Sequence, residues 1–153
     1  MNGKKPIVRV RHVMKKGLDI VDGMVTVNDA LKQMKYPETR TIIVDKRHRD
    51  DEYGVVMFRD VARQVLARDR SAERVNMYEI MSKPVVSVDP DMDVRYCIQL
   101  FDRFGLSRAP VIEKGTIIGL VSYTDIVLKS IQVQNGDSSP DEEHPDAPAD
   151  ATD

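Results

Sequence analysis

Tryptophan is absent from this sequence, and phenylalanine occurs only three times. The core is therefore expected to be aliphatic, built mainly from Leu, Ile and Val. Cysteine occurs once, as Cys97, so no disulfide can form within the chain, which fits a reducing cytoplasm. No apolar run approaches the roughly 20 residues that a membrane-spanning helix needs. The polar N-terminus predicts no signal peptide.

Basic side chains are missing from residues 134–153, which contain seven acidic residues and no Lys or Arg. Residues 1–133 hold 23 basic and 18 acidic side chains, so this body is mildly basic. Such an excess favours small anionic ligands but is too small to predict nucleic-acid binding. The acidic, Pro-rich end lacks large apolar residues and is predicted to be a disordered tail that aids solubility.

Several kinds of chemical site are also missing. His12, His48 and His144 lie far apart in sequence, which predicts no metal site. Cys97 falls on the apolar face of a predicted helix and is expected to be a buried, inert thiol. We find no paired nucleophile and base, no P-loop and no dinucleotide fingerprint, so the sequence predicts no enzymatic activity.

The most informative feature that is present is an internal duplication. Three blocks recur in the same order, at offsets of 67, 68 and 65 residues, with one residue inserted before the second block. The pairs are Val13–Lys16 with Ile80–Lys83, Arg40–Lys46 with Arg108–Lys114, and Gly54–Val56 with Gly119–Val121. Ordered blocks of this kind indicate two structural repeats.

Each repeat shows the same succession of periodicities. Apolar residues recur at helical spacing from Val27 to Met34 and again from Val94 to Phe101. Short β-branched runs then predict two strands joined by a polar turn, and a second helix follows in each repeat. The predicted strands are 41–44, 54–57, 110–112 and 116–121, and the predicted closing helices are 61–67 and 126–133.

This pattern predicts an α+β fold with the order β-α-β-β-α in both repeats. The predicted boundaries are 8–68 for repeat 1, 69–77 for a linker, 78–133 for repeat 2 and 134–153 for the tail. One repeat buries too little surface to be stable alone, so the two are expected to pack together.

The duplicated body, residues 8–133, resembles the CBS-domain family and its stand-alone tandem pair, the Bateman module. The resemblance rests on the dipeptides Val13-Met14 and Ile80-Met81, the turn Val88–Asp91, and the stretches Ser107–Val111 and Gly119–Ile126. It implies repeats related by a pseudo-twofold axis, with two clefts between them that bind adenosine-containing ligands in many members. It also implies a homodimer.

The same resemblance implies a ligand site in repeat 2. Asp125 would accept the ribose hydroxyls, Ser122 and Thr124 would face a phosphate, Arg108 would add a phosphate contact, and Val88 belongs to the same set. The chemistry agrees with these roles, because an ionised carboxylate is an acceptor for a diol and a guanidinium fork matches phosphate oxygens. A helix N-terminus also presents free N–H groups to anions.

A weaker second site is implied in repeat 1 by Asp60, Arg40 and Arg59. There Met57 replaces the hydroxyl residue and Arg59 replaces Thr124, so this site is either empty or adapted to another anion. A structural interpretation also remains open for repeat 2, because Ser122 and the acid three residues later form a capping box.

Two functions follow from these observations. The first is a regulatory sensor that binds AMP, ADP, ATP or S-adenosylmethionine and signals to a partner protein, without nucleic acid or membrane. The alternative is a ligand-free interaction scaffold with the same fold.

Deleting residues 135–153 tests the predicted tail. We expect the free energy of unfolding to change by less than about 0.5 kcal/mol, because this segment has no large apolar side chains to bury. Chemical denaturation of the full and shortened chains measures the difference. A loss well above that value would show that the segment contributes to the folded body.

Overall fold

A computed structural model of the chain describes residues 6–134. The predicted tail, 134–153, therefore lies outside the described residues except for Gln134, which ends the last helix. Across residues 6–134, no helix combines the length and the hydrophobicity that crossing a bilayer requires.

The described chain is a mixture of short helices and strands, as predicted. In order they are α1 (Val10–Val13), β1 (Asp19–Val21), α2 (Val27–Lys32), β2 (Thr41–Val44), β3 (Gly54–Met57), α3 (Phe58–Val61), α4 (Met77–Ile80), α5 (Val94–Phe104), β4 (Arg108–Glu113), β5 (Thr116–Ser122) and α6 (Tyr123–Gln134). A 3₁₀ turn (Pro37–Thr39) precedes β2, and α3 continues as a π-helical turn (Ala62–Leu66). The predicted α+β fold is confirmed.

The chain divides into two compact units. Unit 2 is the continuous segment Leu18–Val85, whereas the described part of unit 1 consists of residues 6–17 and 86–134. These units differ from the predicted boundaries at 8–68 and 78–133, which follow the duplication in the sequence. The predicted linker, 69–77, contains Val75 and Met77, which are buried in the core of unit 2.

In unit 2 the sheet is mixed. β1 pairs in parallel with β2, and β2 pairs antiparallel with β3. Ser82 then forms an antiparallel bridge to Val55 on the far side of β3. One face of this sheet carries Ile42 and Val56 into an aliphatic core. Because β2 is buried along its whole length, its sequence shows a continuous apolar run rather than an alternation.

Unit 1 repeats this arrangement with a shorter first strand. β4 and β5 form an antiparallel hairpin, and Val88 makes only an isolated parallel bridge to Val111. On the other side of β5, Lys15 forms an antiparallel bridge to Leu120, with N···O distances of 2.8 and 2.9 Å. The first strand of the predicted β-α-β-β-α order is thus a single bridging residue in repeat 2.

The segment that precedes each repeat in the sequence pairs with the hairpin of the other repeat. We call residues 8–16 the lead segment of repeat 1 and residues 75–83 the lead segment of repeat 2. The first pairs with β5 through Lys15, and the second pairs with β3 through Ser82. This exchange explains why the compact units cross the predicted boundaries, since sequence similarity reveals repeats but not their contacts.

A glycine stands at each place where a lead segment meets a hairpin. A Cβ atom on Gly119 would lie 2.6 Å from the carbonyl oxygen of Lys15 and 3.1 Å from Sδ of Met14. A Cβ atom on Gly54 would lie 2.5 Å from Sδ of Met81. The obstacle is backbone in the first case and a flexible side chain in the second.

Gly119→Ala is therefore expected to destabilise the chain more than Gly54→Ala. We expect a loss of about 2–3 kcal/mol for Gly119→Ala, because the paired backbone must move, and about 1 kcal/mol for Gly54→Ala. Urea denaturation of both variants measures the two free energies. Equal losses would contradict the predicted difference between a backbone obstacle at Gly119 and a flexible side-chain obstacle at Gly54.

Candidate functional site

The predicted site residues of repeat 2 gather where β5 passes directly into α6. β5 ends at Ser122 and α6 begins at Tyr123, with no loop between them. The backbone N–H of Tyr123 donates to the carbonyl oxygen of Ser107 at 3.0 Å. The Tyr123 ring packs edge-on against Phe101, with 5.1 Å between ring centroids. These contacts fix the start of the helix, and so the positions of Thr124 and Asp125.

Asp125 is the buried acid of this junction, with a relative exposure of 9%. Its Oδ2 atom accepts a hydrogen bond from the Ser122 hydroxyl at 3.0 Å. Its backbone N–H donates to the same hydroxyl oxygen at 3.2 Å. Ser122 therefore caps α6, as the structural interpretation of the motif predicted. The exposed neighbour Thr124 lies in the same first turn.

Lys15 completes the surroundings of Asp125, and sequence reasoning did not identify it. Its ammonium lies 3.5 Å from Oδ1 of Asp125, and its side chain is 54% exposed. The residue comes from the lead segment of repeat 1, far from Asp125 in sequence. The only signal in the sequence was the duplication itself, which aligns Lys15 with Ser82 and shows that the two repeats differ in charge at this position.

Two ion pairs hold the lead segment that carries Lys15. Arg11 Nε lies 2.8 Å from Oδ1 of Asp91, and Arg11 Nη2 lies 2.9 Å from Oε2 of Glu113. The guanidinium lowers the pKa of the Asp91 carboxyl below its usual value, and both carboxylates raise the pKa of Arg11. The segment is thus fixed both to the turn before α5 and to the end of β4.

Arg108, Ser122 and Lys15 share one face of the sheet in unit 1. Arg108 pairs directly with Ser122, and Lys15 pairs directly with Leu120. Directly paired residues project from the same face, and so do residues two apart on a strand. The opposite face carries Ala109 and Val121, both fully buried in the core.

Val88 contributes to this site through its backbone. Its side chain is only 2% exposed and packs in the core. Its N–H donates to the carbonyl oxygen of Pro110 at 3.0 Å, and its carbonyl oxygen accepts from Ile112 at 3.1 Å. The structure therefore places Val88 where it fixes β4, rather than where its side chain reaches the surface.

The corresponding junction in unit 2 has different chemistry. Oδ2 of Asp60 accepts a hydrogen bond from the backbone N–H of Met57 at 2.8 Å, so this acid caps α3. Arg59 and Arg40 are exposed, and Arg40 has a left-handed backbone with a φ of 55°. The lead segment contributes Ser82 where unit 1 has Lys15.

The predicted equivalence of Arg40 and Arg108 is wrong. Thr41 pairs with Met57 as Arg108 pairs with Ser122, so Thr41 is the counterpart of Arg108. The carbonyl oxygen of Arg40 accepts from the N–H of Phe58, as that of Ser107 accepts from Tyr123.

The offset of 67 therefore persists through this strand, and no residue is inserted before it. Both repeats have an arginine near the start of this strand, and matching these two arginines gave a false alignment. The two repeats differ in length in the turn between the hairpin strands, which follows Val44 in unit 2. Thr41 is 1% exposed and donates its hydroxyl to the carbonyl oxygen of Thr39. Unit 2 consequently has no arginine at the register position of Arg108.

Two other sequence expectations concern reactive side chains. Cys97 is fully buried on α5, as predicted, and burial raises the pKa of its thiol to about 11. A thiol with this pKa is a poor nucleophile at neutral pH. Among residues 6–134, no group of three or more His, Cys, Asp and Glu side chains is arranged to hold a metal ion.

Comparisons of sequence and of structure with known proteins both find CBS-domain proteins. The sequence model of the CBS domain matches residues 77–131. The structure of a hexameric CBS-CP12 protein from bloom-forming cyanobacteria is 37% identical to this chain, with a TM-score of 0.77. The match covers 84% of this chain and 74% of that protein.

Two further relatives are more distant. An uncharacterized protein of Methanopyrus kandleri is 29% identical over 71% of this chain, and the match spans 57% of that protein's length. A CBS domain pair solved with 5′-methylthioadenosine and S-adenosyl-L-methionine is 19% identical, with a TM-score of 0.69. That match covers 87% of this chain and all of the other, and it shows a shared fold.

Ser122→Ala tests the cap in the absence of any ligand. We expect a loss of about 1 kcal/mol in the free energy of unfolding, because the N–H of Asp125 loses its acceptor. Thr124→Ala is the matched control, because Thr124 is an exposed hydroxyl residue two positions after Ser122. This variant should change stability by less than about 0.5 kcal/mol. Thermal or urea denaturation gives both values. A larger loss for Thr124→Ala would show that the cap is assigned to the wrong hydroxyl.

Proposed function

This chain belongs to the CBS-domain family, and from that premise we propose that it is a regulatory module that binds an adenine nucleotide or a related adenosyl ligand. The observation that carries this proposal is the buried carboxylate of Asp125 at the start of α6. The Ser122 hydroxyl lies beside it, and Arg108 projects from the same face of the sheet. A distant relative with this fold was solved with two adenosyl ligands, which supports the same ligand class here.

Asp125 is suited to a ribose diol. An ionised carboxylate offers about four lone-pair positions. Ser122 and Lys15 use one on each oxygen, so acceptor capacity remains for the two hydroxyl donors. Burial strengthens such bonds, because the surrounding protein screens charge less than water does.

A phosphate attached to that ribose would meet three kinds of donor. In the first turn of α6 the N–H groups of Tyr123 and Asp125 already donate to Ser107 and Ser122, so this turn offers a phosphate the N–H of Thr124 and the positive end of the helix dipole. Arg108 provides a planar fork of N–H donors that matches phosphate oxygens. The Thr124 hydroxyl, exposed in the same turn, can add a neutral donor.

We assign this function to the repeat 2 site alone. Unit 2 has Met57 in place of the capping hydroxyl, Thr41 in place of Arg108 and Ser82 in place of Lys15. The acid Asp60 is retained, but it accepts the N–H of Met57. We therefore expect one adenosyl ligand per chain.

Regulation requires that the ligand favour one arrangement of the module over another, which a partner protein then detects. No catalytic role is proposed.

We propose that the chain acts as a homodimer, because α6 exposes a row of apolar side chains that a second copy can cover. These are Val127, Leu128 and Ile131, with exposures of 48, 59 and 49%. A hexameric relative shows that oligomers occur among similar proteins.

A ligand-free scaffold is the second candidate function, and one observation favours it. Both carboxylate oxygens of Asp125 already have partners within the chain, so the junction is satisfied without a ligand. The two candidates differ in what removal of this carboxylate should do.

Asp125→Ala separates the two functions. We expect AMP and adenosine affinity to fall at least tenfold, because hydrogen bonds to a charged group contribute about 1.5–3 kcal/mol each. Stability without ligand should fall by only about 1 kcal/mol, because the Ser122 hydroxyl loses its carboxylate acceptor while it still accepts the backbone N–H of residue 125. Isothermal titration calorimetry and denaturation measure the two effects.

One matched control and one further site variant accompany this experiment. Asp60→Ala should leave nucleotide affinity nearly unchanged, and Arg108→Ala should weaken AMP more than adenosine, which has no phosphate. If Asp125→Ala lowers stability but not affinity, the carboxylate only supports the start of α6. If the unmodified chain binds no adenine compound, the scaffold function replaces the sensor.

A further inference from the structure

The ammonium of Lys15 holds the same carboxylate that the proposed ligand needs. It lies 3.5 Å from Oδ1 of Asp125, whereas the Ser122 hydroxyl bonds to Oδ2. Lys15 is 54% exposed and the Asp125 side chain is 12% exposed, so this pair lies at the surface end of the site. Ion pairs with an exposed partner are weak, and a ligand can therefore exchange with Lys15 at little cost.

Lys15 and Arg108 lie on either side of Ser122. Lys15 is paired with Leu120 on one edge of β5, and Arg108 is paired with Ser122 on the other edge. The Cα atoms of Lys15 and Arg108 are roughly 12 Å apart, because two strand spacings and a shift of two residues along β5 separate them. Both side chains project from the same face, and two long cationic side chains can converge on one anion across this span.

The Lys15–Asp125 pair responds differently to neutral and to phosphorylated ligands. A ligand that offers only hydroxyl groups must compete with Lys15 for Oδ1, and it gives the displaced ammonium no anionic partner. A phosphorylated ligand instead gives the displaced ammonium a new partner, since phosphate is a strong acceptor for charged donors.

We propose that Lys15 is a specificity-determining residue of the repeat 2 site. On binding, it leaves Oδ1 of Asp125 to the ribose hydroxyls and contacts a phosphate of the ligand. The site thereby selects phosphorylated adenosine ligands over uncharged adenosine and over S-adenosylmethionine, whose sulfonium adds a positive charge. This inference rests on the proposed function and specifies the ligand class of that same site.

Unit 2 provides an internal comparison. The bridge that Lys15 forms with Leu120 has its counterpart in the bridge between Ser82 and Val55. The lead segment thus places a cation beside one junction and a neutral hydroxyl residue beside the other. This asymmetry matches the loss of arginine and of the capping hydroxyl in unit 2.

The test compares AMP, adenosine and S-adenosylmethionine by calorimetric titration of the full chain. The unmodified chain should bind AMP at least tenfold more tightly than the other two ligands. Lys15→Met, which retains an unbranched side chain of similar length, should weaken AMP about tenfold and leave adenosine within threefold. Lys15→Arg should restore most of the AMP affinity. Raising the salt concentration should weaken AMP binding to the unmodified chain more than to Lys15→Met.

Lys16→Met is the matched control, because it removes the same charge from the adjacent exposed residue. It should change AMP affinity less than twofold. If Lys15→Met does not fold, shown by an altered unfolding transition, Lys15→Gln replaces it with the same expectation.

Three results would overturn the inference. If Lys15→Met weakens AMP and adenosine equally, Lys15 only supports the fold of the site. If the unmodified chain binds AMP and adenosine equally, the proposed function stands but the phosphate selectivity does not. If it binds none of the three ligands, both the proposed function and this inference fail.

Discussion

The site in unit 1 depends on the backbone pairing between a lead segment and the outer edge of β5. Without the bridge between Lys15 and Leu120, that edge would present unpaired N–H and C=O groups, and Lys15 would not be held in register with β5. Gly119 permits the close approach, because any side chain there would meet the backbone of Lys15. The pairing therefore determines both the completeness of the sheet and the charge beside Asp125.

The junction of β5 and α6 combines two roles that are often treated as alternatives. Ser122 and Asp125 stabilise the start of the helix, and the same arrangement presents a buried carboxylate beside a helix N-terminus. A cap fixes the acid in place before any ligand arrives, so the ligand need not bear the cost of ordering it. Capping and the proposed ligand binding are therefore compatible at this position, because the cap leaves acceptor positions on the Asp125 carboxylate for a ligand.

The sequence predicted the local elements well because their signals are local. Strand 41–44 and the helix beginning at Val94 follow from β-branched runs and helical spacing, and the structure contains both. The exchange of lead segments was not predictable, because contacts between distant residues leave no periodicity. The false match of Arg40 with Arg108 arose from residue identity, and only the strand register corrected it. The role of Lys15 was not predictable for the same reason, because its partner Asp125 is distant in sequence and lies near the other end of the described chain.

The continuity of unit 2 has a consequence for how the chain reaches its native state. Leu18–Val85 is one uninterrupted segment, whereas unit 1 joins the two ends of the described chain across it. Closing a long flexible loop costs entropy, and the cost falls when the loop is already compact. Prior folding of unit 2 would replace the flexible connection between residues 17 and 86 with a compact segment, and this would lower the entropic cost of pairing Lys15 with Leu120. In that order of events the sheet edge beside Asp125 forms after unit 2, so the pairing of Lys15 with Leu120 follows the folding of the segment between them.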